Sequence, residues 1–163
     1  MNDENAYGFL KNTELDICNG RFIMDGEDVS EAIRSVDVTN QVSTPSKIGC
    51  VRDFLVDYQR KISNSKNCIM DGRDIGTTVL PNAKIKIYLT ASSDARAKRR
   101  YDELVEKNGN ADYEEIKADI EKRDYQDMHR TISPLKQADD AVLLDTSDMN
   151  IDEVVAAVKK LIR

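Results

Sequence analysis

Cysteine is scarce in this chain of 163 residues. There are three, Cys18, Cys50 and Cys68, far apart and without a Cys-x-x-Cys pair. An odd, scattered set argues against a disulfide framework and against a zinc site, and suits a reducing cytoplasm. Long apolar runs are also missing. No stretch approaches the roughly 20 residues that span a bilayer. The acidic start Met1-Asn2-Asp3-Glu4-Asn5 does not read as a secretory signal, so no membrane partner is expected and the expected location is cytoplasmic. The single histidine, His129, has no Ser or Cys partner at readable spacing and reads as a surface residue rather than a general base. Positive charge is in deficit, with 24 Lys and Arg against 30 Asp and Glu and a net charge of −6. That balance disfavours a nucleic acid polymer as partner, so any anionic ligand must be gripped by a local basic cluster. No internal repeat, low-complexity tract or linker interrupts the chain.

What is present suits a folded domain. Hydrophobic residues make up 40% and charged residues 33%, and this length allows one domain burying roughly 70% of its unfolded surface. Asn19-Gly20 between two short alternating runs is a strong hairpin signal. A second acidic turn, Asp25-Gly26-Glu27-Asp28, leads into a helical turn over 29–34. Apolar residues Val51, Phe54, Leu55 and Tyr58 recur at helical spacing through about Ile62. Strands are expected over 67–71, 84–91 and 141–145, and helices over 94–107 (closed by Asn108-Gly109), 113–129 and 151–162. Strands alternating with helices imply a mainly parallel, doubly wound α/β sheet.

The run Asp71-Gly72-Arg73-Asp74-Ile75-Gly76-Thr77 follows the apolar Cys68-Ile69-Met70. Open α/β sheets bind ligands where a strand's carboxyl end opens into such a segment. A polar turn with Asp and Gly chosen for their backbone angles is the alternative. On the expected helix from Tyr113, residues Ile116, Ile120, Arg123, Asp127 and Arg130 share one face, apolar at first and then alternately charged. That suits a helix running from a core into a ligand cleft, where a guanidinium fork matches phosphate oxygens. It equally suits an ion-pair ladder on the surface. The basic run Arg96-Ala97-Lys98-Arg99-Arg100 reads as a solvated face, or as arginines closing over a polyphosphate if 94–130 is a mobile helical hairpin.

Taken in order, these pieces resemble the bacterial cytidylate kinase family. The matching stretches are Asn19-Gly20, Gly26-Glu27-Asp28-Val29, Asp71 to Thr77, Lys84 to Ser92, Arg96 to Arg100, Arg123-Asp124 to Arg130, Ser133-Pro134-Leu135 and Asp145-Thr146. The resemblance implies transfer of the γ-phosphoryl of ATP to CMP or dCMP, with Mg²⁺ accompanying ATP. It implies that Ser43, Arg52 and Asp74 read the cytosine ring, which offers acceptors and an exocyclic amine donor. Arg73, Arg123 and Arg130 would hold the CMP phosphate, with Asp127 near the sugar. Arg96, Arg99 and Arg100 would belong to a lid over the ATP phosphates. The implied fold is a nucleoside monophosphate kinase-like doubly wound parallel sheet with a small β insert. Residues 1–163 would form a single incomplete kinase domain, with a CMP-binding insert region at 15–45 and the lid and CMP-phosphate helices at 92–130.

One departure bears on activity. Such kinases carry a strand, a glycine-rich loop ending in Gly-Lys-Ser/Thr and a helix, and none of the seven glycines here precedes a lysine. Without loop amides and lysine nothing in these residues cradles the β- and γ-phosphates. The expectation is therefore a cytidylate kinase chain that is inactive alone, whose exposed sheet invites self-association or a partner covering the missing strand. Two other readings stay open, a non-catalytic binding or interaction module on the same scaffold and a kinase of another nucleoside monophosphate.

Overall fold

A computed structural model describes residues 4–42 and 44–162 and divides the chain into two compact units, Met1–Ile69 and Met70–Arg163. In the first unit a 3-10 helix over Glu4–Asn12 precedes three antiparallel strands, β1 (Leu15–Cys18), β2 (Arg21–Met24) and β3 (Glu27–Asp28), in that spatial order. Cys18 faces Arg21 and Met24 faces Glu27 across the two turns, so each turn has two residues. Asn19 and Gly20 take φ of 50° and 76°, and Asp25 and Gly26 take 51° and 85°. Two consecutive left-handed residues give the turn whose twist matches a hairpin, and Asn, Asp and Gly adopt it at least cost. The expected hairpin is present, and the Asp25-Gly26 turn adds a third strand to it.

Past the hairpins lie α1 (Val36–Gln41), whose N-cap Ser35 accepts from the Val38 amide, and α2 (Gly49–Ser65). The apolar spacing read from Val51 to Ile62 falls inside α2, and Val51 is the buried anchor of that helix.

The second unit opens with a π-helical turn over Ile75–Val79, preceded by Asp74. Strand β4 (Ile87–Thr90) leads into a hairpin of helices, α3 (Ser93–Asn108) and α4 (Tyr113–His129), before β5 (Val142–Asp145) and α5 (Ile151–Leu161). The helix boundaries follow from their caps. Ser92 accepts from the Ala95 amide, Gly109 closes α3 at φ 73°, and Asp112 accepts from the amides of Glu114 and Glu115. β4 and β5 pair in parallel, Ile87 against Val142 through Thr90 against Asp145.

The fold is thus mixed α/β with a small parallel sheet, in line with the expected class, and one expectation needs correction. Among the described residues the parallel sheet has two strands. Residues 67–71 form no strand, and Ile69 is 88% exposed. An apolar run acquires a strand's hydrogen-bond ladder only against a neighbour. The parallel pair is itself thinly covered, with Leu89 57% and Leu143 56% exposed, where parallel sheets are usually buried on both faces. No described helix is long and apolar enough to cross a membrane.

At the start of α5, Asn150 accepts from the Glu153 amide at 3.0 Å while Glu153 accepts from the Asn150 amide at 2.8 Å. This reciprocal box satisfies two donors that the helix leaves open. Asn150→Ala is expected to cost about 1 kcal/mol and Asn150→Gly only a few tenths. The check is urea unfolding, with a lowered midpoint and an unchanged slope.

Candidate active site

A cavity of about 500 Å³ lies within the second unit, lined among others by Arg73, Asp74, Arg96, Arg99, Asp124 and Thr146. It takes in Thr90, the last residue of β4, and Thr146, the residue that follows β5. This is the end of a parallel sheet at which α/β folds bind ligands.

Two arginines and two aspartates meet from distant parts of the sequence, and of the four Arg73 and Asp74 line this cavity. Arg73 donates from Nε to Asp127 Oδ2 at 2.8 Å. Arg130 places Nη1 4.0 Å from Asp127 Oδ1 and Nη2 3.5 Å from Asp74 Oδ1. Its Nε donates to the Ser133 carbonyl at 2.5 Å, while Nη2 is buried and makes no hydrogen bond. Asp74 and Arg130 side chains are only 10% and 11% exposed, and Arg73 is 44% exposed. The backbone ahead of the cluster is shaped by two glycines. A Cβ at Gly72 would stand 3.0 Å from the Ile75 side chain, and one at Gly76 3.4 Å from the Lys86 stem.

A second group lies at the start of α3. Arg96 forks onto Asp124, Nη1 to Oδ1 at 2.9 Å and Nη2 to Oδ2 at 2.5 Å, and donates from Nε to the Ala91 carbonyl at 3.1 Å. The hydrogen bond to Asp124 raises the Arg96 pKa further above its ordinary value, so this guanidinium stays charged. Arg99 donates from Nη2 to the carbonyls of Thr146 and Met149, the latter at 3.1 Å, and holds the segment between β5 and α5. Lys86, with its side chain 7% exposed, donates to both oxygens of Asp140 at 2.8 and 2.7 Å and to the Pro81 carbonyl. Its hydrogen bond lowers the Asp140 pKa below the ordinary 3.8.

Of the residues singled out in the sequence, Arg73, Asp74, Asp127 and Arg130 are brought together, and Arg96 and Arg99 line the same cavity. Arg100 instead makes an exposed pair with Glu103 at 2.8 Å, and Arg123 is exposed on α4. Arg52 is half-buried on the first turns of α2 in the other unit, and Ser43 lies outside the described residues. His129 is exposed and stacks on Tyr125. The polar face of α4 that takes partners steps through Lys117, Glu121 and Asp124, one residue out of phase with the expected Ile116, Ile120 and Arg123, and the two rows rejoin at Asp127. A shift of one residue turns a helix position by about 100°, which is why Asp124 escaped notice. Its signal was the adjacent Arg123-Asp124 pair.

Residues 1–163 match the family described as cytidylate kinase. The chain belongs to the cytidylate kinase family. It is 54% identical over 142 residues to a cytidylate kinase of Leuconostoc mesenteroides, a match covering 87% of this chain and 63% of that protein. It is 48% identical over 153 residues to one from Fusobacterium nucleatum, covering 94% and 70%. To one from Caldanaerobacter subterraneus it is 45% identical over 161 residues, covering 99% and 72%. The chain therefore spans between about three fifths and three quarters of the length of the curated relatives it matches.

Two outcomes follow from this geometry. Arg130→Ala strips Asp74 and Asp127 of a common cation in a nearly dry place and is expected to cost roughly 2–3 kcal/mol. Arg100→Ala removes an exposed pair and should cost less than about 1 kcal/mol. Thermal unfolding of the two variants checks the contrast. Because the folded Asp140 pKa is depressed, its contribution is present above about 3.8 and lost as pH falls below that. Asp140→Asn should remove that part of the acid destabilisation, read as a flatter stability profile at the acid end.

Proposed function

We propose that this chain carries the nucleoside monophosphate site and the helical lid of a cytidylate kinase, which passes the γ-phosphoryl of ATP to CMP or dCMP in the cytoplasm. The observation that carries the reading is the pair Arg73 and Arg130, held at Asp127, with a buried Arg130 Nη2 that makes no hydrogen bond. The Asp74 carboxylate stands 3.5 Å from this nitrogen, and a phosphate oxygen would give it a closer, better directed acceptor. Family membership supports the choice of substrate.

In this reading Arg73 and Arg130 grip the CMP phosphate and Asp127 keeps their planes apart and oriented beside the sugar. Arg123, exposed on the ligand-free helix, joins them only if α4 rotates or extends its side chain toward the anion. Asp74 accepts from the cytosine amine, with Ser43 and Arg52 completing the base contacts. Phosphoryl transfer asks little covalent chemistry of a protein and much positioning and charge compensation. The chain's share is to fix the acceptor oxygen of CMP and to bring Arg96, Arg99 and Arg100 over the ATP phosphates. For that, Arg96 and Arg99 must exchange protein acceptors for phosphate oxygens. The described residues include no group of three His, Cys, Asp or Glu able to hold a metal ion. Mg²⁺ would accompany ATP, held by its phosphate oxygens.

Since no glycine here precedes a lysine, the β- and γ-phosphates need a loop that these 163 residues do not supply. We infer a fold whose first strand, loop and helix are missing from the residues at hand, forming one incomplete domain. The exposed Leu89 and Leu143 of the parallel pair support this, being surface that an added strand or a second copy would cover.

The test has two arms. The chain alone, given ATP and CMP, should form no CDP. Fused to the strand, Gly-Lys-Ser/Thr loop and helix of a relative, it should phosphorylate CMP and dCMP in preference to AMP and UMP, and Asp74→Ala should erode that preference. Uracil reverses the hydrogen-bond polarity at two positions, and a site left with unpaired buried polar groups rejects the wrong base steeply. Turnover by the chain alone, free of host kinase, would overturn the missing-loop reading. A folded fusion that accepts AMP as readily as CMP would overturn the base assignment.

A further inference from the structure

The polar face of α4 forms a continuous row from one end of the helix toward the other. Lys117 Nζ meets Asp94 Oδ1 at 2.7 Å, Glu121 accepts from the Ser93 hydroxyl at 3.0 Å, and Asp124 takes the Arg96 fork. All three partners lie on the first turn of α3. The next member of the row, Asp127, takes its partner elsewhere, from Arg73 Nε. A single helix face thus joins the start of α3 to the residues ahead of the π-helical turn. Arg96 is in turn tied by Nε to Ala91, the residue after β4.

We propose that Asp124 is a positioning residue: its two-pronged hold on Arg96 sets the register of α4 along α3 and so delivers Asp127 between Arg73 and Arg130. The geometry leaves little slack. A bidentate pair fixes direction as well as distance, whereas the Lys117 ammonium is a point charge that tolerates sliding. One residue of a helix rises about 1.5 Å. A displacement of half that, where it is directed along the bond, carries Asp127 Oδ2 from 2.8 Å of Arg73 Nε to the limit of a hydrogen bond. The proposal concerns the ligand-free protein, and only its consequence for CMP rests on the function proposed above.

The experiment compares Asp124→Asn with Lys117→Met, which cuts the same helix pair seven positions away. The readout is the Arg73 Nε–H resonance in protein labelled with ¹⁵N-arginine, followed by its rate of exchange with water, and then titration with CMP. Asp124→Asn is expected to speed Arg73 Nε–H exchange about fivefold or more, on the scale of coupling between groups in one network. It should weaken CMP binding by a similar factor. Lys117→Met should leave both within about twofold while lowering the melting temperature. If Asp124→Asn does not fold, Arg96→Lys, which keeps the charge and loses the fork, serves in its place. Unchanged Arg73 exchange in the Asp124 or Arg96 variant, or an equal effect from Lys117→Met, would overturn the proposal. A wild-type chain that ignores CMP would overturn the function reading instead, with the exchange rates still deciding the role of Asp124.

Discussion

Two guanidinium groups brought to one spot repel, and they stay together only where a carboxylate stands between them. Asp127 is that carboxylate, 2.8 Å from Arg73 Nε and 4.0 Å from Arg130 Nη1. The arrangement reaches across 54 residues of sequence to do so. Much of the second unit can be read as support for it. The helical hairpin carries Asp127 into place, Asp74 supplies the second counter-charge, and the small side of Gly76 admits the Lys86 stem against the turn that begins after Asp74. Arg73, Arg96 and Arg130 each have a carboxylate beside them in the ligand-free protein, so an incoming phosphate competes with fixed anions there, whereas Arg99 is held by carbonyls alone.

Local chemistry was legible in the sequence because its causes are local. Asn19-Gly20 demanded a left-handed pair and Asn108-Gly109 a helix end, and the structure has each of them. The span of α4 could be read from Tyr113 to His129 for the same reason. The charged cluster was legible in outline: Arg73, Asp74, Asp127 and Arg130 meet. What escaped was whatever depends on a distant partner. The choice between Arg123 and Asp124 as the inward residue is settled by α3, 28 positions earlier, through Arg96. Likewise, 67–71 has the composition of a strand but no strand partner among the described residues, and composition alone carries no ladder.

The helix face also shows how surface-type interactions can become specific. The exposed pairs Lys98 with Asp102 and Arg100 with Glu103 join neighbours on one helix and constrain little. Lys117 with Asp94 and Arg96 with Asp124 use the same chemical groups across two helices. There the energy of each pair is modest, yet the geometry it enforces is shared by every residue further along the rod.

The parallel pairing of β4 with β5 joins Ile87 to Val142, 55 positions apart. Closing a loop of that size from a free coil is slow and entropically costly, because nothing rewards the search until the ends meet. Here the intervening chain is a helical hairpin with its own caps, which forms from near-neighbour contacts and folds the path back on itself. During folding the two strands then need only find each other from the feet of a finished structure. The α3–α4 hairpin serves this parallel pair as the two-residue turns serve the antiparallel ones, by bringing the strand ends together.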